Sequence, residues 1–491
     1  MNVRLGAAVL AASLSLCGCA TNPVSGGKDV VFTSTKGEVE SSRRDHTEII
    51  QAYGVYEDQA LQDYVNRVGQ KVAANSQRGS ELTWHFTVLD DGEVNAFTTG
   101  GGYVYVFRGL LAYLNSEAEL AAVLGHEIGH VNARHPVKAV TRNVLADVLA
   151  TGAVLATGSG VVGEMADIGA AAWVQGYGRD AETQADQLGI QYATKSGYLP
   201  EAMSQSMGVL KQQETFEVDR AKRENREPQI YHGMFSDHPA PDDRVVATAK
   251  QAANITSQPE GGWIEGHDEY LKAIDGLPYG SSRAQGIVRD NRFYHADLGL
   301  TLAFPHGWII DNERDRLLAH SKTKDVIMQL TADKRPEKES PREFLLKKLK
   351  GRQISHGAEL QVNGMEGYTF ITRSGSPLDG GLGPVRWAVL YRDKSAYLIG
   401  GASRSASPEG LPADDGLFMS SIQTLRALKP AEYPLAEPYR IHIVQAKADT
   451  KYDDFAKNIP HEKYQKEELE LLNGDYPGGK IVPGQMLKVV E

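Results

Sequence analysis

Cysteine is nearly absent: two residues in 491, Cys17 and Cys19, both near the N-terminus. A disulfide framework therefore cannot hold the chain, and its stability has to come from buried apolar surface. Long hydrophobic runs are missing as well. Past the N-terminal segment no stretch reaches the roughly eighteen apolar residues that a bilayer-crossing helix needs. Val144 to Val174 comes nearest, but Asp147, Glu164 and Asp167 interrupt it. It reads as helices and a loop covering a site, or as a segment lying on a membrane surface. Positive charge is scarce too. Lys and Arg number 52 against 63 Asp and Glu, a net charge of −11 with no dense basic run, which argues against nucleic acid as a partner. What the chain does have is length and 41% hydrophobic content, enough for about two to four domains.

It also has Leu124-Gly125-His126-Glu127-Ile128-Gly129-His130. Two histidines four apart lie on one face of an α-helix, one turn above the other, so both imidazoles can reach a single metal ion. Glu127, beside the first, is then placed as general base on an activated water, the zinc-hydrolase reading of H-E-x-x-H. The helix is legible. Ser116-Glu117-Ala118-Glu119 is a capping box, with Ser116 as N-cap and Glu119 reaching back to its amide. Leu120, Val123 and Leu124 continue at helical spacing, and Pro136 marks the stop. Zinc needs a third protein donor. Asp180-Ala181-Glu182-Thr183-Gln184-Ala185-Asp186 offers two acids four apart, with Asp180 as N-cap. Glu182 as ligand leaves Asp186 to accept from a ligating histidine and fix its tautomer. Taken alone, two such acids describe a solvated helix face.

The N-terminus reads as an export signal. Arg4 supplies a short positive region, and Leu5 to Leu16 is an apolar stretch too short to span a bilayer. Leu16-Cys17-Gly18-Cys19 resembles a bacterial lipobox, in which residues 1–19 are the signal region and Cys19 becomes the lipidated first residue. An ordinary secretory signal is the alternative. By the same resemblance, Ala20 after Cys19 implies an outer-membrane anchor facing the periplasm.

H-E-x-x-H followed by Arg179-Asp180-Ala181-Glu182-Thr183-Gln184-Ala185-Asp186 resembles the gluzincin zinc metallopeptidases that include the HtpX and CAAX prenyl proteases. The likeness is nearest to their lipid-anchored periplasmic branch. It covers about Thr21 to Ala253, through Thr21-Asn22-Pro23-Val24, Asn95-Ala96-Phe97, Gly101-Gly102-Tyr103-Val104-Tyr105-Val106 and Arg108-Gly109-Leu110-Leu111. It implies a mainly helical protease domain with a small sheet, one Zn2+ on His126, His130 and Glu182, and Glu127 as the base. It departs at Gly178, where the family has Ser, and at Thr98-Thr99, where a Pro-containing turn is common. The resemblance includes an H-P-x-x-x-x-R segment, here His238 to Arg244. His238 would either donate to the transition-state oxyanion or close the metal as a fourth ligand, leaving a latent enzyme. Arg244 would pair with an acid near the site or position the loop. Gly102, Tyr103, Val104 and Tyr105 form a strand entered from a tight turn. At a sheet edge it would align an extended peptide beside the metal; inside the sheet it would be an ordinary strand. His46, His85, His135 and His232 read as surface or packing residues.

Beyond a Gly/Pro/Ser cluster at Gly276 to Ser282 the period changes to that of strands: Leu300–Phe304, Val326–Leu330, Tyr368–Ile371 and Trp387–Tyr391. Ser340-Pro341-Arg342-Glu343 opens a helix through Lys350, and Asp415 to Leu428 suggests another. This second domain, 286–428, is α+β and faintly resembles a PsbP-type sandwich. The last segment, 438–491, has strand, helix, helix, strand in order and resembles a LysM module, which would make peptidoglycan a partner. Ala448 replaces the usual Gly before Asp449-Thr450, and a degenerate module kept for packing is the alternative. The sequence thus predicts an α+β chain. A helical zinc protease domain (20–275) is followed by an α+β domain and a small βααβ module. Its function would be a lipid-anchored periplasmic zinc endopeptidase acting on envelope proteins, misassembled outer-membrane proteins above all. The alternative is a non-proteolytic, chaperone-like or wall-anchored assembly factor, against which the intact Glu127 speaks.

Overall fold

A computed structural model describes residues 18–31, 33–142, 177–228, 242–314, 316–349, 353–373, 383–459 and 463–491. The chain is α+β and divides into two units, Met1–Tyr279 with Tyr439–Glu491, and Gly280–Pro438.

The first unit opens with a hairpin of β1 (Gly18–Thr21) and β2 (Lys28–Val31). Two helices follow, α1 (Thr35–Tyr53) and α2 (Gln59–Ala73). Each starts on a side-chain cap: Ser34 accepts from Gly37 N–H and Asp58 from Leu61 N–H. Next come β3 (His85–Leu89), β4 (Ala96–Gly100) and β5 (Tyr103–Phe107), which form one sheet in the order β3-β5-β4. β5 runs parallel to β3 and antiparallel to β4. The segment Gly102, Tyr103, Val104 and Tyr105, expected as a possible substrate strand at an edge, is therefore central. Its backbone is committed on both sides and cannot take a third strand. All five residues of β5 are buried, the pattern of a strand covered on both faces. The turn into it passes through Gly100, Gly101 and Gly102 at φ of 90°, 58° and 91°, a left-handed run that side chains disfavour. The outer strands of this sheet are β3 and β4, and β4 packs along the helix that carries the histidines.

After α3 (Arg108–Tyr113) comes that helix, α4 (Glu117–Asn132), all sixteen residues of which are buried. A helix buried on every side lies in the middle of a core, and its polar residues there need partners. Ser116 accepts from Glu119 N–H as the capping box requires, but the Glu119 carboxylate takes the amide of Asn115, 2.8 Å away. α5 (Arg179–Lys195) crosses α4 where Gly125 and Gly129 meet Gly189 and Ala185. A Cβ on Gly125 would lie 2.9 Å from the Gly189 carbonyl oxygen, and one on Gly189 2.8 Å from His126 N. Only glycine allows this approach. α5 starts at Gly178 with no side-chain cap, while Asp180, expected as N-cap, sits in the first turn. Its charge there still favours the positive helix end.

Helices α6 (Ala202–Arg223), α7 (Asp242–Ala253) and α8 (His267–Ile274) complete this part. The C-terminal segment returns to it. β6 (Pro278–Tyr279) pairs with β7 (Tyr439–Gln445), which pairs with β8 (Met486–Val490). Between β7 and β8 lie α9 (Asp453–Ala456) and α10 (Gln465–Leu472). The order is βααβ, yet the segment stands as part of the first unit. Ile441, Leu469, Leu472 and Val490 share one core with Leu110 and Leu120. Lys488, buried, donates to the carbonyls of Ala112 and Leu114 at 2.8 and 2.9 Å, although burial lowers its pKa.

The second unit holds a seven-stranded antiparallel sheet whose centre is Val326–Lys334, Ser395–Ser403, Val385–Arg392 and Met365–Thr372. A four-stranded sheet that includes Arg292–His295 and Leu300–Ala303 packs on one face through Phe293, Leu302, Met328, Leu390 and Phe418. The helix Pro341–Lys348 covers the other over Phe370, Trp387 and Leu398 and starts on the expected capping box of Ser340 and Glu343. The helix read to Leu428 stops at Ile422, because Arg426–Ala427 joins the smaller sheet beside Leu300 and Thr301. No described helix in the chain is long and apolar enough to cross a membrane.

Candidate metal centre

The pitch of α4 puts His126 and His130 one above the other, and α5, drawn close by the glycines, delivers Glu182 opposite them. The two Nε2 atoms are 2.9 Å apart. Each lies 3.5 Å from one oxygen of the Glu182 carboxylate. Among the described residues this is the one group of three or more His, Cys, Asp or Glu side chains that could hold a metal ion. All three side chains are buried, as is Glu127, which follows His126 on α4.

Asp186, one turn after Glu182, faces His126 Nδ1 at 2.9 Å. Arg244 on α7 holds that carboxylate in a fork, Nε to Oδ2 and Nη2 to Oδ1 at 2.7 Å each, and its Nη1 lies 3.2 Å from Glu182. Burial alone would raise the Asp186 pKa, but His126 and Arg244 outweigh it and hold the carboxyl below its usual range. Burial likewise works against a charged His126, and the Asp186 and Glu182 carboxylates overcome it, raising its pKa to about 10. Two buried acids thus favour positive charge at this point.

His130 is backed differently. Its Nδ1 lies 2.8 Å from Nδ1 of His135, whose Nε2 lies 3.0 Å from Gln184 Oε1 on α5. Burial lowers the His135 pKa to about 4, so this ring is neutral. Tyr177 stacks on His130 with ring centres 4.3 Å apart. With both Nδ1 positions engaged, the two Nε2 atoms and the Glu182 carboxylate converge on one point. Two imidazoles and a carboxylate are the N/O donor set that zinc takes in hydrolytic sites, so the residues present fit the group.

Of the residues read from the sequence, the structure brings together His126, Glu127, His130, Glu182, Asp186 and Arg244. It places Tyr103 to Tyr105 in the central strand of the sheet and Gly102 in the turn before it, and Cys19 in β1 opposite Val30. His238 falls in 229–241, and Val144 to Val174 in 143–176, outside the described residues. Sequence reasoning missed His135, Gln184 and Tyr177. A histidine five places after His130 was the available signal, but it fits no single-helix spacing.

Paired histidines on α4 and a glutamate on α5, with an acid in the H-E-x-x-H position, are compatible with the centre of a metal-dependent peptidase. Residues 59–252 match the model of Peptidase family M48. Similar proteins include the "Beta-barrel assembly-enhancing protease" of Yersinia pestis, 30% identical over 41% of this chain and 41% of that protein. The "Putative beta-barrel assembly-enhancing protease" of Vibrio cholerae is 31% identical over 48% and 45%. The "Mitochondrial metalloendopeptidase OMA1" of Arabidopsis thaliana is 30% identical over 29% and 30%. The chain thus spans less than half the length of these curated relatives. Among solved structures, cyanobacterial PsbP from Synechocystis sp. PCC 6803 aligns with 29% of this chain and 94% of that one, at 12% identity and a TM-score of 0.21.

Proposed function

We propose that this protein is a zinc endopeptidase that hydrolyses cell-envelope proteins, unfolded or misassembled outer-membrane β-barrels above all. The observation that supports it most is the convergence of His126, His130 and Glu182 beside a buried Glu127, within a segment that matches a peptidase family. One zinc held by those three side chains would supply Lewis-acid activation of water and of the scissile carbonyl. Glu127 would take the proton from the attacking water and return it to the leaving amine. Asp186, pinned by Arg244, keeps His126 in the tautomer that presents Nε2. The unpaired side of β4 would align an extended substrate by strand addition.

The substrate class follows from the β-barrel assembly-enhancing proteases to which the domain is similar. Cys19, lipidated, would anchor the enzyme at the periplasmic face of the outer membrane. The segment 438–491 would act as a LysM-type contact with peptidoglycan, and 286–428, a PsbP-type sandwich, as a docking domain. His238 would serve as oxyanion donor or as latent fourth ligand.

The test is cleavage of urea-unfolded outer-membrane β-barrels and casein by the purified protein. Cleavage should stop on chelation and return with zinc, while a folded β-barrel resists. Cleavage that survives complete chelation contradicts the proposal.

A further inference from the structure

Behind the ligand His130 lie two residues that the proposed mechanism does not use, His135 and then Gln184. Gln184 Oε1 is an acceptor only, so the hydrogen bond at 3.0 Å requires the proton of His135 on Nε2. A neutral imidazole with Nε2–H has a lone pair on Nδ1. That lone pair, 2.8 Å from His130 Nδ1, accepts the His130 Nδ1–H and leaves His130 Nε2 bare towards His126 and Glu182. Turning the Gln184 amide over reverses every proton in the chain: His130 would then present Nε2–H to the centre and could not ligate.

The backbone is built for this contact. α4 ends at Asn132, and Arg134 then adopts φ 59°, a left-handed conformation that non-glycine residues rarely adopt. That turn folds the chain so that His135 comes back against His130. Tyr177 packs on both rings, with centres 4.3 and 5.8 Å away. We propose that His135 and Gln184 are positioning residues. They hold His130 in the Nδ1–H tautomer and its ring in the orientation that ligates through Nε2, as Asp186 does for His126. The partner of His126 is an anion and that of His130 is neutral, so the second histidine is oriented without adding negative charge to a pocket that already buries two carboxylates.

The inference rests on the metal-centre reading above, and the test separates the two. His135→Leu removes the acceptor while keeping bulk; His135→Asn restores an acceptor near the Nδ1 position. Zinc affinity is measured by competition with a chromophoric chelator. The His130 tautomer is read in the metal-free protein by 15N-resolved NMR of the ring nitrogens. We expect His135→Leu to weaken zinc binding by about ten- to a hundredfold and His135→Asn to recover most of it, as loss and return of a hydrogen bond behind a ligand should. The NMR spectrum should show Nδ1-protonated His130 in the native protein and a mixture of tautomers in His135→Leu. If His135→Leu fails to fold, Gln184→Met gives the same readouts, because it removes only the group that fixes the His135 proton. A folded variant with native affinity and an unchanged tautomer overturns the inference while leaving the metal centre standing. Absence of stoichiometric zinc in the native protein overturns both.

Discussion

Binding zinc to the metal-free protein should expel a proton, and the structure gives the size of the effect. Burial disfavours the imidazolium of His126, but Asp186 at 2.9 Å and Glu182 at 3.5 Å raise its pKa to about 10. At pH 7.5 the ring is therefore charged, and only a neutral imidazole ligates, so each zinc should release close to one proton. The working pH lies about two and a half units below that pKa. At about 1.4 kcal/mol per unit, proton competition costs about 3.4 kcal/mol, and affinity should sit roughly 300-fold below its alkaline plateau. The logarithm of apparent affinity should rise with a slope near one from about pH 6.5 to 9 and level off near the pKa. The sign for folding runs the other way. A pKa raised above its ordinary 6.5 stabilises the metal-free fold fully below that value, and the benefit is lost as pH rises through about 10. Calorimetric zinc titrations in buffers of different ionisation enthalpy count the protons directly. Asp186→Asn should bring the count at pH 7.5 well below one. A count near zero for the native protein would refute this electrostatic account of the site.

Glu182→Ala should abolish tight zinc binding, whereas Asp186→Ala should weaken it only about ten- to a hundredfold; metal titration in the reverse order would exchange their roles. Gly189→Val would force side-chain atoms against His126 N, where even a Cβ would lie at 2.8 Å. It should cost about 1–3 kcal/mol in stability, read as a fall in Tm, together with a loss of zinc affinity as α4 and α5 part. His238→Ala should raise proteolysis if His238 is a latent fourth ligand, and lower it by roughly a hundredfold if it donates to the oxyanion. An unchanged rate defeats both.

The features legible in the sequence were those written in local spacing. His126 and His130 fall four apart, with Glu127 next to the first, on a helix whose Ser116 cap stands as read, and Glu182 and Asp186 repeat the same interval. What stayed hidden depended on partners distant in the chain. Tyr103 to Phe107 is unmistakably a strand, but alternation says nothing about how many neighbours a strand has, and β5 proved central. The segment 439–491 shows its βααβ order, while its fusion to the protease core rests on long-range contacts of Ile441, Val490 and Lys488. His135 was hidden by geometry. Only the left-handed Arg134 returns it to His130, and an arginine carries no mark of that conformation.

The central claim is that Glu127 works as a proton carrier beside a metal held by His126, His130 and Glu182. Glu127→Gln tests it most directly, because the carboxamide keeps nearly the same shape in a fully buried position and cannot accept a proton from water. Zinc content and cleavage of an unfolded outer-membrane β-barrel are measured on the same preparations. The account predicts one zinc per chain in both proteins and a loss of at least about a hundredfold in the variant's rate. Equal rates at equal zinc content would contradict it.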